Sequence, residues 1–140
     1  MGTVSEFHHR LAKLLEDRAI SVRTWASGGR RSENLLEITT APEKKVLYVK
    51  EFNVPGKPGF LGLTRNQIYR LDRAAPGWFA VLLFRSLEVG YVLTDAQVRQ
   101  RIGDGLFELS GDGDFKVNEA QDFTPAEHFG SLGELLDRIL

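Results

Sequence analysis

Residues 44–52, KKVLYVKEF, contain a short apolar run that ends in a lysine. The run 46–49 is made of β-branched, aliphatic and aromatic residues, a composition typical of a β-strand. A buried strand does not need the charged side chain of Lys50 at its end, because an ammonium group prefers water or a partner. The stretch therefore predicts a buried strand. It leaves open whether Lys50 only ends that strand in water or belongs to a functional site.

The sequence on either side of this strand predicts a meander of three strands preceded by a helix. Residues 5–17 repeat apolar side chains at helical spacing, and residues 19–26 alternate as in a strand. Residues 34–40 and 44–52 flank the short segment APEKK, which predicts two antiparallel strands joined by a turn. The following segment 53–62, NVPGKPGFLG, is rich in Pro and Gly and predicts a loop.

The second half of the chain continues this alternation. Thr64 with Gln67 and Thr94 with Gln97 have the spacing of capping boxes, each at the start of a helix. Residues 78–84, WFAVLLF, predict a strand covered on both faces. A hairpin around residues 111–113 and two short helical segments follow. The order indicates an α/β sandwich with a mixed sheet.

Composition limits the class of protein. The chain has 140 residues, of which 42% are hydrophobic and 26% charged, so we expect one globular domain over residues 1–140. It has no cysteine, which excludes disulfides, thiolate metal sites and cysteine nucleophiles. No apolar run approaches the ~20 residues of a membrane span, and no apolar signal core precedes the first helix. We therefore expect a cytoplasmic protein without a membrane partner.

The charges are unevenly distributed along the chain. Residues 1–75 carry a net charge of +5, and residues 76–140 carry −6. A basic half can face a polyanion such as DNA, although a solvated mixed surface explains the same pattern. The candidate phosphate contacts are five cations in or near the predicted turns: Arg30, Arg31, Lys44, Lys45 and Arg65.

Several short segments in this order resemble one group of enzymes. They are FHHRLAKLL (7–15), RRSENLLEI (30–38), the triplet 48–50, the T-x-x-Q helix start at residues 64–67 and FAVLLFRSLEVGYVL (79–93). Together they resemble the PD-(D/E)xK nucleases, in particular archaeal-type Holliday-junction resolvases and Mrr-like restriction endonucleases. The resemblance covers roughly residues 5–100, and residues 101–140 are expected to add a hairpin and helices. It implies a restriction-endonuclease-like sandwich with a central mixed sheet flanked by helices.

The resemblance also assigns positions to a catalytic site. His8 stands where the family's first helix bears a glutamate, Asn34 where it has the aspartate of its Pro-Asp pair, and Tyr48 where it has the acid of (D/E)-x-K. Lys50 and Gln67 match the family's lysine and glutamine.

These departures matter because phosphodiester hydrolysis in this family requires a divalent metal held by carboxylates. His8, Asn34 and Tyr48 supply no carboxylate, so we expect catalytic remnants at Lys50 and Gln67 and no metal site. Mg²⁺ or Mn²⁺ would be expected only if other acids had replaced the missing ones, and the candidates are Glu6, Glu33 and Glu51.

Three interpretations of function stay open at this point. The first is a catalytically degenerate protein that binds nucleic acid or serves as an assembly subunit in DNA processing or defence. The second is an active metal-dependent nuclease with a relocated site. The third is a protein-interaction module, or a homo-oligomer, that uses its acidic C-terminal half or the apolar tail 135–140. A capping box would account for Gln67 without any nucleic acid. A strand that ends in water would likewise account for Lys50.

Overall fold

A mixed β-sheet lies at the centre of the structure. The computed structural model describes residues 3–27, 30–40 and 43–140, except for the side chains of residues 3, 27 and 30–33. The helices in this part of the chain are α1 (Thr3–Leu15), α2 (Arg65–Ala74), α3 (Asp95–Gly103) and α4 (Leu132–Ile139). The strands are β1 (Ser21–Ser27), β2 (Arg30–Thr39), β3 (Lys44–Phe52), β4 (Phe60–Thr64), β5 (Phe79–Phe84), β6 (Gly90–Thr94), β7 (Glu108–Leu109), β8 (Asp114–Asn118) and β9 (His128–Phe129).

The strand order of the central sheet is β1-β2-β3-β5-β6-β9. Strands β3 and β5 run parallel, and the other neighbouring pairs in this sheet are antiparallel. A parallel pair needs a crossover connection, which β4 and α2 provide here. In addition, β4, β8 and β7 form a small antiparallel sheet.

The central sheet separates two hydrophobic cores. The α1/α4 core contains Phe7 of α1, Leu47 and Val49 of β3, and Leu136 of α4. The α2/α3 core lies on the opposite face and includes Tyr48 of β3 together with residues of α2, α3, β4 and β8. Because successive side chains of a strand point to opposite faces, the continuous apolar run of β3 fills both cores.

Several predicted features are confirmed by this arrangement. The helix, the three-stranded meander, the strand buried on both faces at β5 and the mixed sheet all form. The C-terminal hairpin also forms, as β7 and β8. Thr94 and Gln97 make both hydrogen bonds of a capping box. The predicted α/β sandwich is therefore confirmed.

One prediction about the fold is wrong. The segment 53–62 was predicted to be a loop throughout, but its last residues belong to β4, which pairs with β8. This pairing joins segments far apart in the chain, so local composition did not reveal it. The third interpretation of function offered the apolar tail 135–140 as an interaction segment, whereas Leu135, Leu136 and Ile139 are buried in the α1/α4 core.

Within the described residues, no helix is long and apolar enough to cross a membrane.

Candidate functional site

Lys50 lies near the end of β3, on the face of the sheet that α2 covers. Val46 and Tyr48 belong to the α2/α3 core, and Lys50 shares their face because side chains alternate along a strand. Its partner across the parallel pair is Leu82, which lies in the same core. The lysine is half-buried, and its side chain has no hydrogen-bond or ion-pair partner among the described residues. This ammonium group is therefore available to an anionic ligand.

Tyr48 precedes it on this face and is part of the core. Its side chain is 2% exposed, and its ring lies 6.4 Å from the ring of Trp78. The phenolic oxygen accepts a 3.0 Å hydrogen bond from the backbone N–H of Thr64. Burial raises the pKa of the Tyr48 phenol, and the hydrogen bond with Thr64 opposes that change only in part. Tyr48 is consequently a neutral phenol at neutral pH.

Asn34 lies where β2 and β3 separate. The paired register of these strands runs up to Leu35 opposite Tyr48. Beyond that pair, the Asn34 side-chain amide donates a 2.9 Å hydrogen bond to the carbonyl oxygen of Val49. The side chain thus continues the contact between the two strands through its nitrogen.

His8 and Gln67 are also engaged with the protein. His8 lies on α1, on the opposite side of the sheet from Tyr48, and its Nε2 is 3.2 Å from the carbonyl oxygen of Val22 in β1. Gln67 accepts a 3.3 Å hydrogen bond from Arg70 through its side-chain oxygen. The structure therefore does not bring His8 together with Tyr48 and Lys50.

The capping box predicted for Thr64 and Gln67 is wrong. Thr64 precedes α2 but makes no side-chain capping bond. At α3, the backbone N–H of Thr94 donates to Gln97 over 2.9 Å, whereas the equivalent N–H of Thr64 donates to Tyr48. The backbone N–H of Thr64 therefore donates to Tyr48, a partner from β3, and not to the Gln67 side chain that the capping-box pattern predicts.

These donors do not suit a hard divalent cation. Mg²⁺ and Mn²⁺ favour carboxylate and other oxygen ligands. At two of the positions predicted for acids, Tyr48 is a neutral phenol bonded to Thr64, and Asn34 turns its amide nitrogen to the backbone. Among the described residues, no three His, Cys, Asp or Glu side chains converge as a metal site would require.

The alternative acids Glu6, Glu33 and Glu51 stay a prediction. Glu6 makes a 3.4 Å ion pair with Arg10 one turn along α1. Glu51 is partly buried, and strand alternation places it on the α1 face of β3, opposite Lys50. The side chain of Glu33 lies outside the described residues.

Glu37 of β2 is a carboxylate that the fold buries. It is 6% exposed and is bonded by Arg23 from β1, which faces it across the strand pair. Lys44 lies 3.6 Å from its other oxygen. This pairing follows from the cross-strand register, which places Arg23 opposite Glu37, and no local sequence pattern indicates it.

The five predicted phosphate contacts do not share one face. Lys44 lies on the α2 face and pairs with Glu37, whereas Lys45 lies on the α1/α4 face, 5.8 Å from the ring centre of Phe79. Arg65 lies over the ring of the exposed Tyr69, 5.2 Å from its centre. The side chains of Arg30 and Arg31 lie outside the described residues. Lys44 and Arg65 are thus the described members on the side of Lys50.

Comparison with known proteins supports the architecture. No family model and no curated protein matches the chain. A solved structure does match: a Holliday junction resolvase from the archaeal hyperthermophile Archaeoglobus fulgidus, with a TM-score of 0.56 and 14% sequence identity. The match covers 94% of this chain and 98% of the resolvase. The chain has the restriction-endonuclease-like fold of the PD-(D/E)xK proteins.

Proposed function

We propose that this chain, with its restriction-endonuclease-like fold, is a catalytically degenerate protein that binds nucleic acid or serves as an assembly subunit in DNA processing or defence. The observation that carries the proposal is Lys50. It is a half-buried lysine without a partner among the described residues, and it lies beside a tyrosine that replaces the expected acid. A phosphate group would supply the counter-charge that the protein does not provide.

The proposal of degeneracy rests on the chemistry of the neighbouring groups. Hydrolysis of a phosphodiester needs a metal to polarise the phosphate and to lower the pKa of the attacking water. Burial keeps the Tyr48 phenol neutral, and its oxygen is already bonded to Thr64. A neutral phenol is a poor ligand for Mg²⁺, so Lys50 has no activated water to assist.

Binding of DNA does not require the metal site that hydrolysis of a phosphodiester requires. Lysine and arginine side chains contact phosphates without any metal, and such contacts release counterions. Lys50, Lys44 and Arg65 can contribute from the α2 side of the sheet. We expect binding that depends on backbone charge and weakens as salt increases, with little dependence on base sequence.

The test is a binding and cleavage assay with wild type and Lys50→Ala on supercoiled, linear and branched DNA, with Mg²⁺ or Mn²⁺. We expect no cleavage, and we expect salt-sensitive binding whose log–log salt slope falls by about 1 in the variant. Lys13→Ala is the matched control, because Lys13 is an exposed lysine of α1 on the other side of the sheet. Metal-dependent cleavage that Lys50→Ala abolishes would refute degeneracy, and the absence of salt-sensitive binding would refute the DNA-binding function.

One observation favours an active nuclease as the second candidate. Glu51 shares its face of β3 with Leu47 and Val49, which pack in the core that α1 covers, and Glu6 lies on α1. Such a site would use Mg²⁺ or Mn²⁺ with Glu6 and Glu51 on that side of the sheet, and the side chain of the third candidate acid, Glu33, lies outside the described residues. In that case Glu51→Gln would abolish cleavage and Lys50→Ala would not.

A further inference from the structure

The loop that connects β3 to β4, residues 53–59, begins just after Lys50. Residues 53–58 are all exposed, and Gly59 is buried. Val54 leaves 41% of its surface in water, which is high for an apolar side chain. The side chain of Lys57 has no partner among the described residues. The loop therefore presents an apolar group and a cation next to the candidate site.

The tip of this loop is stiff. Pro55 and Pro58 each fix their own φ angle. Gly56, between them, has φ +72°, a conformation that residues with a Cβ rarely adopt. A Pro-Gly pair with positive φ at the glycine is typical of a type II turn. Little conformational entropy remains to be lost at the tip when it binds a partner.

Arg85 anchors the loop from the end of β5. Its backbone N–H donates a 2.7 Å hydrogen bond to the carbonyl of Phe52, and its Nη1 donates one of 3.2 Å to the carbonyl of Lys57. Arg85 itself has φ +60°, an unfavourable conformation for a residue with a side chain. Such strain persists only where the surrounding structure enforces it, and it is often found at functional sites.

Glu119 holds the other end of the loop. Its carboxylate accepts a 2.5 Å bond from Arg85 and a 3.2 Å bond from the backbone N–H of Gly59. The carbonyl of Gly59 in turn accepts from the backbone N–H of Glu119. A Cβ at position 59 would lie 2.3 Å from the ring of Phe84, so the loop end is packed tightly against the core. Both ends are fixed while the tip stays exposed.

Residues 53–59 thus form a rigid projection with fixed ends and an exposed tip, which we call the prong. The place of the prong in the fold indicates which kind of partner it binds. The loop stands at the carboxyl end of the parallel pair β3–β5, the end at which ligands bind in open α/β sheets. Proteins that distort DNA insert apolar side chains, proline included, between neighbouring base pairs. The cations Lys50 and Lys57 on either side of Val54 and Pro55 favour a polyanion over a protein surface.

We propose that residues 53–59 form a prong that enters duplex DNA at a weakened base step, with Val54 and Pro55 against the bases and Lys57 against a phosphate. This inference rests on the proposed DNA-binding function and adds the form of DNA that is preferred. A mismatch or a single-base bulge lowers the cost of unstacking, so such a duplex is bound more tightly than a perfect one.

The experiment compares three duplexes of equal length by fluorescence anisotropy: perfect, centrally mismatched and with a single-base bulge. A 2-aminopurine beside the lesion reports unstacking by a rise in fluorescence. Wild type is expected to prefer the lesions by about tenfold. Val54→Ser should reduce this preference to less than about twofold and suppress the 2-aminopurine signal. Lys57→Ala should weaken binding to all three duplexes.

Matched controls separate the loop from general surface effects. Leu106→Ser removes an apolar side chain that is 53% exposed elsewhere, and Lys13→Ala removes a lysine from α1. Neither variant should change the preference for the mismatched and bulged duplexes over the perfect duplex. Equal affinity for all three duplexes, or an unchanged preference in Val54→Ser, refutes the prong and leaves the DNA-binding function standing. Absence of binding to every duplex refutes both.

Discussion

The phenolic oxygen of Tyr48 accepts a 3.0 Å hydrogen bond from the backbone N–H of Thr64, the residue that precedes helix α2. Tyr48 thereby links the central strand β3 to the start of the helix that covers it. A side chain of the central sheet therefore makes a structural contact between two layers. Four predictions follow from this contact and from other buried groups.

Replacing Thr64 or Thr94, the two threonines that precede helices, by alanine should lower the free energy of unfolding by different amounts. Thr94→Ala removes the hydroxyl that accepts from the backbone N–H of Gln97, so we expect a loss of about 1 kcal/mol in the free energy of unfolding. Thr64→Ala removes a side chain without a capping bond and should cost less than about 0.5 kcal/mol. Urea denaturation of both variants measures the difference. Equal losses would contradict the view that Tyr48 has replaced the local cap.

Tyr48 should make the protein less stable at alkaline pH. Its folded-state pKa is raised above the ordinary value of about 10, so the folded protein holds this proton more tightly than the unfolded chain. The free energy of unfolding should therefore be independent of this group below about pH 10 and should fall as the pH rises through the raised pKa.

Tyr48→Phe tests this directly. Below about pH 10 the variant should be less stable by about 1 kcal/mol, because the backbone N–H of Thr64 loses its acceptor. Its alkaline decline should be shallower than that of wild type in denaturation curves between pH 8 and about 11. Tyr69→Phe is the control, since the Tyr69 ring is 50% exposed. If Tyr69→Phe flattens the decline and Tyr48→Phe does not, the assignment to Tyr48 is wrong.

Glu37 should be important for stability although it is charged. Glu37→Gln removes a buried charge that Arg23 and Lys44 neutralise, and we expect a loss of about 1–3 kcal/mol. Glu43→Gln is the matched control, because Glu43 is exposed and forms a surface pair with Lys45. That change should stay within about 0.5 kcal/mol. Chemical denaturation gives both values, and a neutral Glu37→Gln would show that the buried ion pair adds nothing to stability.

The C-terminal helix should behave as core. Leu136 is 2% exposed in the α1/α4 core, so Leu136→Ala should cost about 2–5 kcal/mol. Leu140 is 47% exposed, and Leu140→Ala should have little effect on the thermal midpoint. Thermal unfolding followed by circular dichroism compares the two. If Leu136→Ala left the thermal midpoint unchanged, the tail 135–140 would again be a candidate interaction segment.

Part of this protein could be predicted from the order of its residues alone. Periodicity determined the helix at α1, the buried strands at β3 and β5, and the capping box at Thr94, because these signals depend on neighbours in the chain. The segment quoted first was correctly predicted to be a buried strand. The assignment of residues 8, 34 and 48 to acid positions of a catalytic site stays a prediction.

Other features were decided by tertiary structure. The pairing of β4 with β8, the burial of Glu37 opposite Arg23, the bond from Thr64 to Tyr48 and the anchoring of the loop by Arg85 join residues that are distant in sequence. No local pattern encodes them, because each partner has an ordinary local alternative such as a loop, a solvated charge or a capping box. Packing chose among these alternatives, since a buried polar group must find a partner wherever the fold provides one.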